Sequence, residues 1–536
     1  MLHRLRLGFA VLSLAVVAFA APARAATPAW TATFGDIEFQ RVSSLGTLLV
    51  SHANGLACID PATGKPLWQR DDLKKFKECN FDEIENPPYA LLEMGEGMGG
   101  QKRKIEVIDL QTGQKKWDSE GLPILSSQGQ FQAPQKRMLV MFGTAKKGSK
   151  PMTVAVDTET GEIKWQQERL FEKPLNLLEV KGSGKVFKRY SVAGNQPPAF
   201  PDENTMVVWI SEDGPTAIDL NTGAKKWVCA GLKGKNVPAL DYGFVPMWAR
   251  QGAIYAPYDK SLQAIDAATG SLLWAKEKDF RGRPVQMAWS DVGLVVRGAP
   301  YVGEDKKAKG KPFIDVLNPK TGESVWPKPF KDLEDATSFD FKGDHLYICA
   351  DNEMHQVALA NGADKIIAKF KFKEHEVPTN LTLEDDGFLL TSNQTLMKLD
   401  DAGAEKWRAY YEAPSYSGWV KLGVGLLTAA VNAAAAGSAY DRAQRTGQDQ
   451  TYYLSANPTL GKRFRASVEG YAYQYILTSV EDGGKKKAGI VKVDKKTGKV
   501  ASSVQLGDKT PEYEVDEFEG WLFFKASDTS IAAFKM

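Results

Sequence analysis

Hydrophobic and polar positions follow one recurring pattern along most of this chain. A run of four or five apolar residues, rich in Val and Ile, ends on an Asp. A Thr-Gly pair follows, and a second short run ends on Trp. The pattern reads "GLACIDPATGKPLW" at 55–68, "IEVIDLQTGQKKW" at 105–117, "VAVDTETGEIKW" at 154–165, "PTAIDLNTGAKKW" at 215–227 and "LQAIDAATGSLLW" at 262–274. Asp60, Asp109, Asp157, Asp219 and Asp266 each stand eight residues before Trp68, Trp117, Trp165, Trp227 and Trp274. Looser copies are "IDVLNPKTGESVW", "LMKLDDAGAEKW" and "GIVKVDKKTGKV", of which the first two end on Trp326 and Trp407. Self-similarity at a fixed period signals a repeat architecture and governs how the rest of the chain is read.

Each apolar run has strand chemistry. The segment between Asp and Trp predicts a tight hairpin, in which Asp accepts from the turn backbone and Gly takes the positive-φ position that closes it. Upstream of the hairpins lie further strands, such as "TLLVSHA", "RMLVMFG", "TMVVWIS", "AIYAPYD", "HLYICAD", "GFLLTSN" and "WLFFKAS", and a third strand precedes most of these. The unit is therefore a four-stranded antiparallel meander of about 40–50 residues, the size of a propeller blade. Hairpins centre on Asp60, Asp109, Asp157, Asp219, Asp266, Asn318, Leu359, Asp400 and Asp494. The chain then ends on three strands with no fourth, while "AWTATFG" near its start is a strand with no blade. Joining the two completes a tenth blade and removes the sheet edges that open termini would leave.

The Asp-x-x-Thr-Gly-x-x-x-Trp hairpins resemble the tryptophan-docking repeats of the PQQ-like, or quinoprotein-type, β-propellers. The resemblance spans nearly the whole chain beyond residue 25. It implies an all-β, closed propeller in which Trp68, Trp117, Trp165, Trp227, Trp274, Trp326 and Trp407 each dock on the next blade. Family habit is seven or eight blades, against the ten that the repeats count, so eight stands as the family-based alternative. A motif present in every blade suits a structural task, because a reaction site is needed once and a blade contact many times.

Composition narrows the setting. Residues 1–25 carry Arg4 and Arg6, an apolar core and a small-residue end at Ala25, the pattern of a cleaved secretory signal. No Cys follows that core, so the expectation is a soluble periplasmic or secreted protein, with the propeller spanning 26–536. Formal net charge is only +2 and gives no global case for nucleic acid. The 536 residues exceed the ~250–300 at which single cores stop growing, a limit that repeats escape by adding units. Cys58, Cys79, Cys229 and Cys349 show no CxxC spacing; Cys58 and Cys79, in neighbouring repeats, are near enough to pair in an oxidising compartment, and the other two read as buried thiols.

Motifs for chemistry are sparse. The larger alcohol dehydrogenases of the quinoprotein family carry adjacent cysteines, a Ca²⁺ site and a catalytic Asp; this chain has no Cys-Cys pair, and no convergent oxygen-ligand set stands out. His52, His345, His355 and His375 lack metal-pair spacing, and no GxSxG, P-loop or dinucleotide fingerprint occurs. "GEGMGGQ" at 95–101 falls between two strands and reads as a hairpin loop. No catalytic residue and no resident cofactor is expected; PQQ with calcium is the alternative that the resemblance implies.

Binding is expected in the irregular parts. Four connections between second and third strands are long and basic: 99–104, 145–150, 304–311 and 481–489. They would align Lys146, Lys147, Lys307, Lys309, Lys485 and Lys486 on the face opposite the Thr-Gly turns. An insertion at 412–460 includes an Ala-rich stretch with helix propensity, and its segment 418–440, uncharged from Leu422 to Tyr440, suits peripheral membrane contact. The expectation is a non-enzymatic interaction scaffold of the bacterial envelope, binding an envelope protein or an anionic envelope polymer. It resembles the propeller lipoproteins of outer-membrane protein assembly but is longer and lacks their anchor Cys. A PQQ-dependent dehydrogenase and an envelope polysaccharide-binding protein are the alternatives.

Overall fold

A computed structural model describes residues 26–536 apart from 85–87, 97–101, 147–149, 172–196, 211, 236, 238–244, 303–307, 332, 334–335, 374–375, 377, 393, 413 and 415–467. Residues 1–25, expected to be a cleaved signal, and nearly all of the expected insertion lie outside the described residues. So do the 97–101 part of the "GEGMGGQ" loop, Lys147 and Lys307.

Blade 1 shows how sequence becomes structure. Its strands are Ile37–Val42, Leu48–His52, Gly55–Ile59 and Pro66–Arg70, each antiparallel to the next. The middle two are buried at every position. Both faces of a blade pack on neighbouring blades, so the middle strands read as continuous apolar runs rather than alternating ones. The outer strand faces solvent and keeps only Trp68 buried. Between the last two strands, Asp60 N–H donates to the Lys65 carbonyl and Gly64 N–H to the Asp60 carbonyl, both at 2.9 Å. The Asp60 carboxylate accepts from Ala62 N–H at 2.9 Å and from the Thr63 hydroxyl at 2.7 Å. Gly64 sits at φ +71°, a region costly for any residue with a Cβ. This is the chemical reason for the Asp-x-x-Thr-Gly spacing.

Nine such units follow one another: 37–70, 81–118, 124–168, 199–228, 248–279, 283–330, 339–369, 378–410 and 468–505. The outer strand is shortened in blade 5 to Lys278–Asp279 with an Ile265–Leu272 bridge. In blade 6 it is reduced to the bridges Ile314–Phe330 and Leu317–Ser324. The tenth blade joins the ends of the chain. Trp30–Thr33 pairs with Ser530–Lys535, outside Trp521–Ser527 and Tyr513–Asp516. Ten blades therefore close the ring, in agreement with the repeat count and against the family habit of eight.

The apolar clusters show the closure independently. Each draws on two successive blades, from blades 1 and 2, 2 and 3 and 3 and 4 round to 8 and 9 and 9 and 10. The circle is completed where Ile37, Leu48 and Val50 of blade 1 pack on Trp521, Phe523 and Ile531 of blade 10. Burial between blades is the main stabilising term here, as in other stacked repeats.

One register needs correction. The seventh hairpin centres on Ala358, not Leu359: Ala358 N–H donates to the Ala363 carbonyl and Gly362 N–H to that of Ala358. Alanine offers no side-chain acceptor, and the Asn361 side chain accepts from Ala363 N–H instead, so the Asp signal that sets the register elsewhere is missing. Cys58, Cys229 and Cys349 are buried free thiols; Cys58 forms no disulfide.

Candidate docking face

Antiparallel meanders that all start from the inner strand divide the ring into two faces. First-to-second and third-to-fourth turns lie on one, the turn face. Second-to-third connections and blade-to-blade crossings lie on the other, the loop face.

The tryptophans hold the turn face together. Trp68 donates from Nε1 to the Leu110 carbonyl of blade 2 at 2.9 Å, and a Cβ on Gly113 would collide with its ring. The arrangement repeats for Trp117 with Thr158 and Gly161, Trp165 with Leu220 and Gly223, and Trp227 with Ala267 and Gly270. It continues with Trp274, Pro319 and Gly322, Trp326, Leu359 and Gly362, and Trp407, Lys496 and Gly498. Trp30 does the same to Pro61 and Gly64 from the closing blade, a role that sequence spacing missed because the strand stands alone at the start of the chain. Blade 7 has no such Trp, and Ile367 and Ala368 lie against Gly403.

The four basic segments are all second-to-third-strand connections, in blades 2, 3, 6 and 9. The crossing from Tyr410 to Val468, which contains the insertion, leaves the same face by topology. Among the described residues, however, the lysines are interleaved with acids. Lys146 donates to the Glu120 carbonyl. Lys104 lies 2.6 Å from Glu120 and 3.5 Å from Asp118, and the Glu120 hydrogen bond raises its pKa. Lys150 lies 3.6 Å from Glu168, and Lys369 lies 2.6 Å from Glu353. Lys309 sits on the short Ala308–Lys309 strand that pairs with Tyr301–Val302. Lys485 and Lys486 face Asp482 and Glu481 across their hairpin, are exposed, and make no ion pair with any described residue. They are the most available cations of the predicted set among the described residues.

Nearer the axis, the inner-strand cations are engaged within the chain. Arg41 lies 3.4 Å from Glu83 and over the Phe81 ring. Arg283 lies over Tyr301, 4.1 Å from the ring centre. Arg297, on a second strand, donates to the Ala336 and Thr337 carbonyls, and Arg250 stacks over Trp248 and Trp289. No group of three His, Cys, Asp or Glu residues capable of holding a metal ion occurs among the described residues. No described helix is long and apolar enough to cross a membrane.

A closed ring of four-stranded meanders, with an outer-strand Trp lying on the turn glycine of the next blade, defines a PQQ-like β-propeller. The chain belongs to the family described as outer membrane protein assembly factor BamB, whose model matches residues 16–176 and 153–344. Solved structures similar to it include BamB from Moraxella catarrhalis, at 15% identity over 70% of this chain and 98% of that one, with a TM-score of 0.33. The computationally designed Ika8 protein shares 15% identity over 72% and 99%, with a TM-score of 0.32. Quinohemoprotein alcohol dehydrogenase from Comamonas testosteroni shares 14% over 70% and 73%, also at 0.32. No curated protein matches the chain.

Proposed function

We propose that this propeller is a non-enzymatic docking scaffold of the bacterial envelope and that its partner meets the loop face. The observation that carries this reading is topological. Lysine-bearing connections from blades 2, 3, 6 and 9, together with the crossing that holds the insertion, leave the ring on one side. A rigid ring that gathers its irregular segments on one face suits recognition by loops on a scaffold. The family's description as an outer membrane protein assembly factor supports an envelope setting and a protein partner. Lys485 and Lys486, being exposed and without an ion pair among the described residues, are the cations that would steer an acidic partner segment.

The test uses the tagged mature protein to recover envelope partners at low and high salt, beside the Lys485→Glu/Lys486→Glu variant. One partner recovered by the parent, and reduced both by salt and by the charge reversal, is the expected result. The quinoprotein reading is checked on the same preparation by titrating PQQ with Ca²⁺. Saturable binding together with dye-linked oxidation of alcohols or sugars would overturn the scaffold reading.

A further inference from the structure

The turn face carries an apolar feature that none of the blade contacts explains. Phe518 is 94% exposed and Tyr471 82% exposed, and Leu45 is 38% exposed. All three sit at first-to-second-strand turns, in blades 10, 9 and 1. These blades are consecutive across the ring closure. Scattered single apolar side chains are ordinary on a surface, but neighbouring ones mark contact sites.

The turns are also fixed to one another. Glu517, next to Phe518, reaches back to blade 9, where its carboxylate accepts from Tyr471 N–H and Ala472 N–H, both at 2.6 Å. Gly470 leaves room for this bridge, since a Cβ there would overlap the Glu517 carboxylate. On the other side, a Cβ on Gly46 of the blade 1 turn would lie 3.4 Å from Asp516 Oδ2. A similar brace holds Leu45: Ser44 N–H, beside it, donates at 2.8 Å to Glu83 of blade 2. Charged bridges to backbone amides are short and strong, so the exposed rings are presented from braced turns rather than loose ones.

The turns themselves carry acids and no base. The stretches 43–47, 470–472 and 516–520 contain Asp516, Glu517 and Glu519 and no basic residue. Lysines flank the turns but are tied down: Lys492, Lys495 and Lys535 donate to the Met536, Gly470 and Glu519 carbonyls. Asp516 is 6% exposed, and its Oδ2 is buried with no hydrogen-bond partner among the described residues. A buried carboxylate oxygen without a donor is costly, and a donor supplied by a ligand would relieve it.

We propose that Tyr471, Phe518 and Leu45 form a second docking site, on the turn face across blades 9, 10 and 1, for a basic protein segment that carries aromatic or aliphatic side chains. The rings supply the apolar anchors that dominate binding energy, and Asp516, Glu517 and Glu519 select for Lys or Arg beside them. The site lies on the face opposite the lysine-bearing loops, so it stands or falls independently of the loop-face reading.

The probe is a short fluorescent peptide in which Phe alternates with Lys, followed by anisotropy with the full mature protein. The comparisons are the same peptide with Glu for Lys, vesicles containing phosphatidylglycerol, and the Tyr471→Ser/Phe518→Ser variant. Both substituted side chains are solvent-exposed, so thermal unfolding should be unchanged. Saturable binding of the Lys peptide is expected, weakened about tenfold or more by the Glu exchange and again by the double variant. Equal binding of the two peptides, or undiminished binding by the variant, would overturn the proposal. So would a parent protein that binds no peptide, and so would vesicle binding or self-association that the variant abolishes, because the occupant would then be a membrane or a second copy.

Discussion

The inter-blade tryptophan gives the sharpest quantitative test. Trp165 is 7% exposed, packs in the cluster between blades 3 and 4, and donates to the Leu220 carbonyl at 2.7 Å. Trp165→Ala removes a large buried ring, which costs about 3–5 kcal/mol. The Leu220 carbonyl loses its donor, a further cost of about 1 kcal/mol where water does not replace it. A loss of about 4 kcal/mol is expected. Trp165→Phe keeps most of the apolar area and loses the hydrogen bond, so it should cost about 1–2 kcal/mol. Trp407 makes the same bond to Lys496 at 3.1 Å, yet it is only half-buried. Its replacement by Ala should cost about 1–2 kcal/mol.

Unfolding entropy of about 2.1 cal/mol/K per residue converts each kcal/mol into about 1 °C for a chain of this size. Scanning calorimetry should therefore show Trp165→Ala lower in Tm by about 4 °C, with Trp407→Ala and Trp165→Phe displaced by less than half of that. The ordering matters more than the absolute values, since repeat proteins can unfold sector by sector. Equal shifts for Trp165→Ala and Trp407→Ala would refute the idea that burial between blades sets the contribution.

Three further outcomes follow from the same structure. Deleting residues 26–36 removes the outer strand of blade 10 and exposes the edge of Ser530–Lys535, so urea resistance should drop measurably; an unchanged midpoint would mean that closure contributes little. Burial pushes the Cys349 thiol up to about 12 and also raises Cys58 and Cys229, so mass-mapped alkylation at pH 8 should spare all three until the chain unfolds; labelling of any of them in the native state would contradict their placement. The Asp60 and Asp266 carboxylates are held below the ordinary 3.8, chiefly by the Thr63 and Thr269 hydroxyls. Their contribution is complete above that value and fades as pH falls through the lower folded value, so Asp60→Asn/Asp266→Asn should flatten the acid limb of urea midpoint against pH, and an unaltered limb would argue against it.

The fold was legible because its signals are local and repeated. An Asp acceptor, a positive-φ Gly and a Trp at fixed offsets specify one hairpin and one neighbour, and repetition separates them from chance. The seventh hairpin shows the limit, since Ala358 carries no acceptor and the register slipped by one. The lysine connections could be placed on one face by strand count alone. Their acidic partners could not, because Glu120 and Glu168 are brought beside Lys104 and Lys150 by strand pairing. Phe518 was invisible for a different reason. In "EVDEFEGWLFF" it reads as one more strand residue, and only the turn geometry puts it outside while Trp521 and Phe523 go inside.

The places where the tryptophan contact relaxes are not scattered around the ring. Between blades 7 and 8 Ile367 and Ala368 replace the tryptophan, and between 8 and 9 Trp407 is half-buried. The crossing from blade 8 to blade 9 holds the insertion. Between 9 and 10 the chain termini take the place of a Thr-Gly turn, so no turn glycine is there to receive a ring. Blades 1 to 6, by contrast, each dock a buried tryptophan. The sector from blade 7 to blade 10 thus has the weakest structural motif, the longest crossing and the exposed Tyr471 and Phe518. Sequences depart from local consistency where function asks for it, and an arc with a buried tryptophan at every junction can hold a ring rigid while the remaining arc varies. On that argument, surface substitutions in blades 7 to 10 should alter peptide affinity more than stability, and substitutions of the docking tryptophans of blades 1 to 6 the reverse. Parallel measurement of Tm and peptide affinity across both arcs decides it, and equal sensitivity in the two arcs would rule out the division.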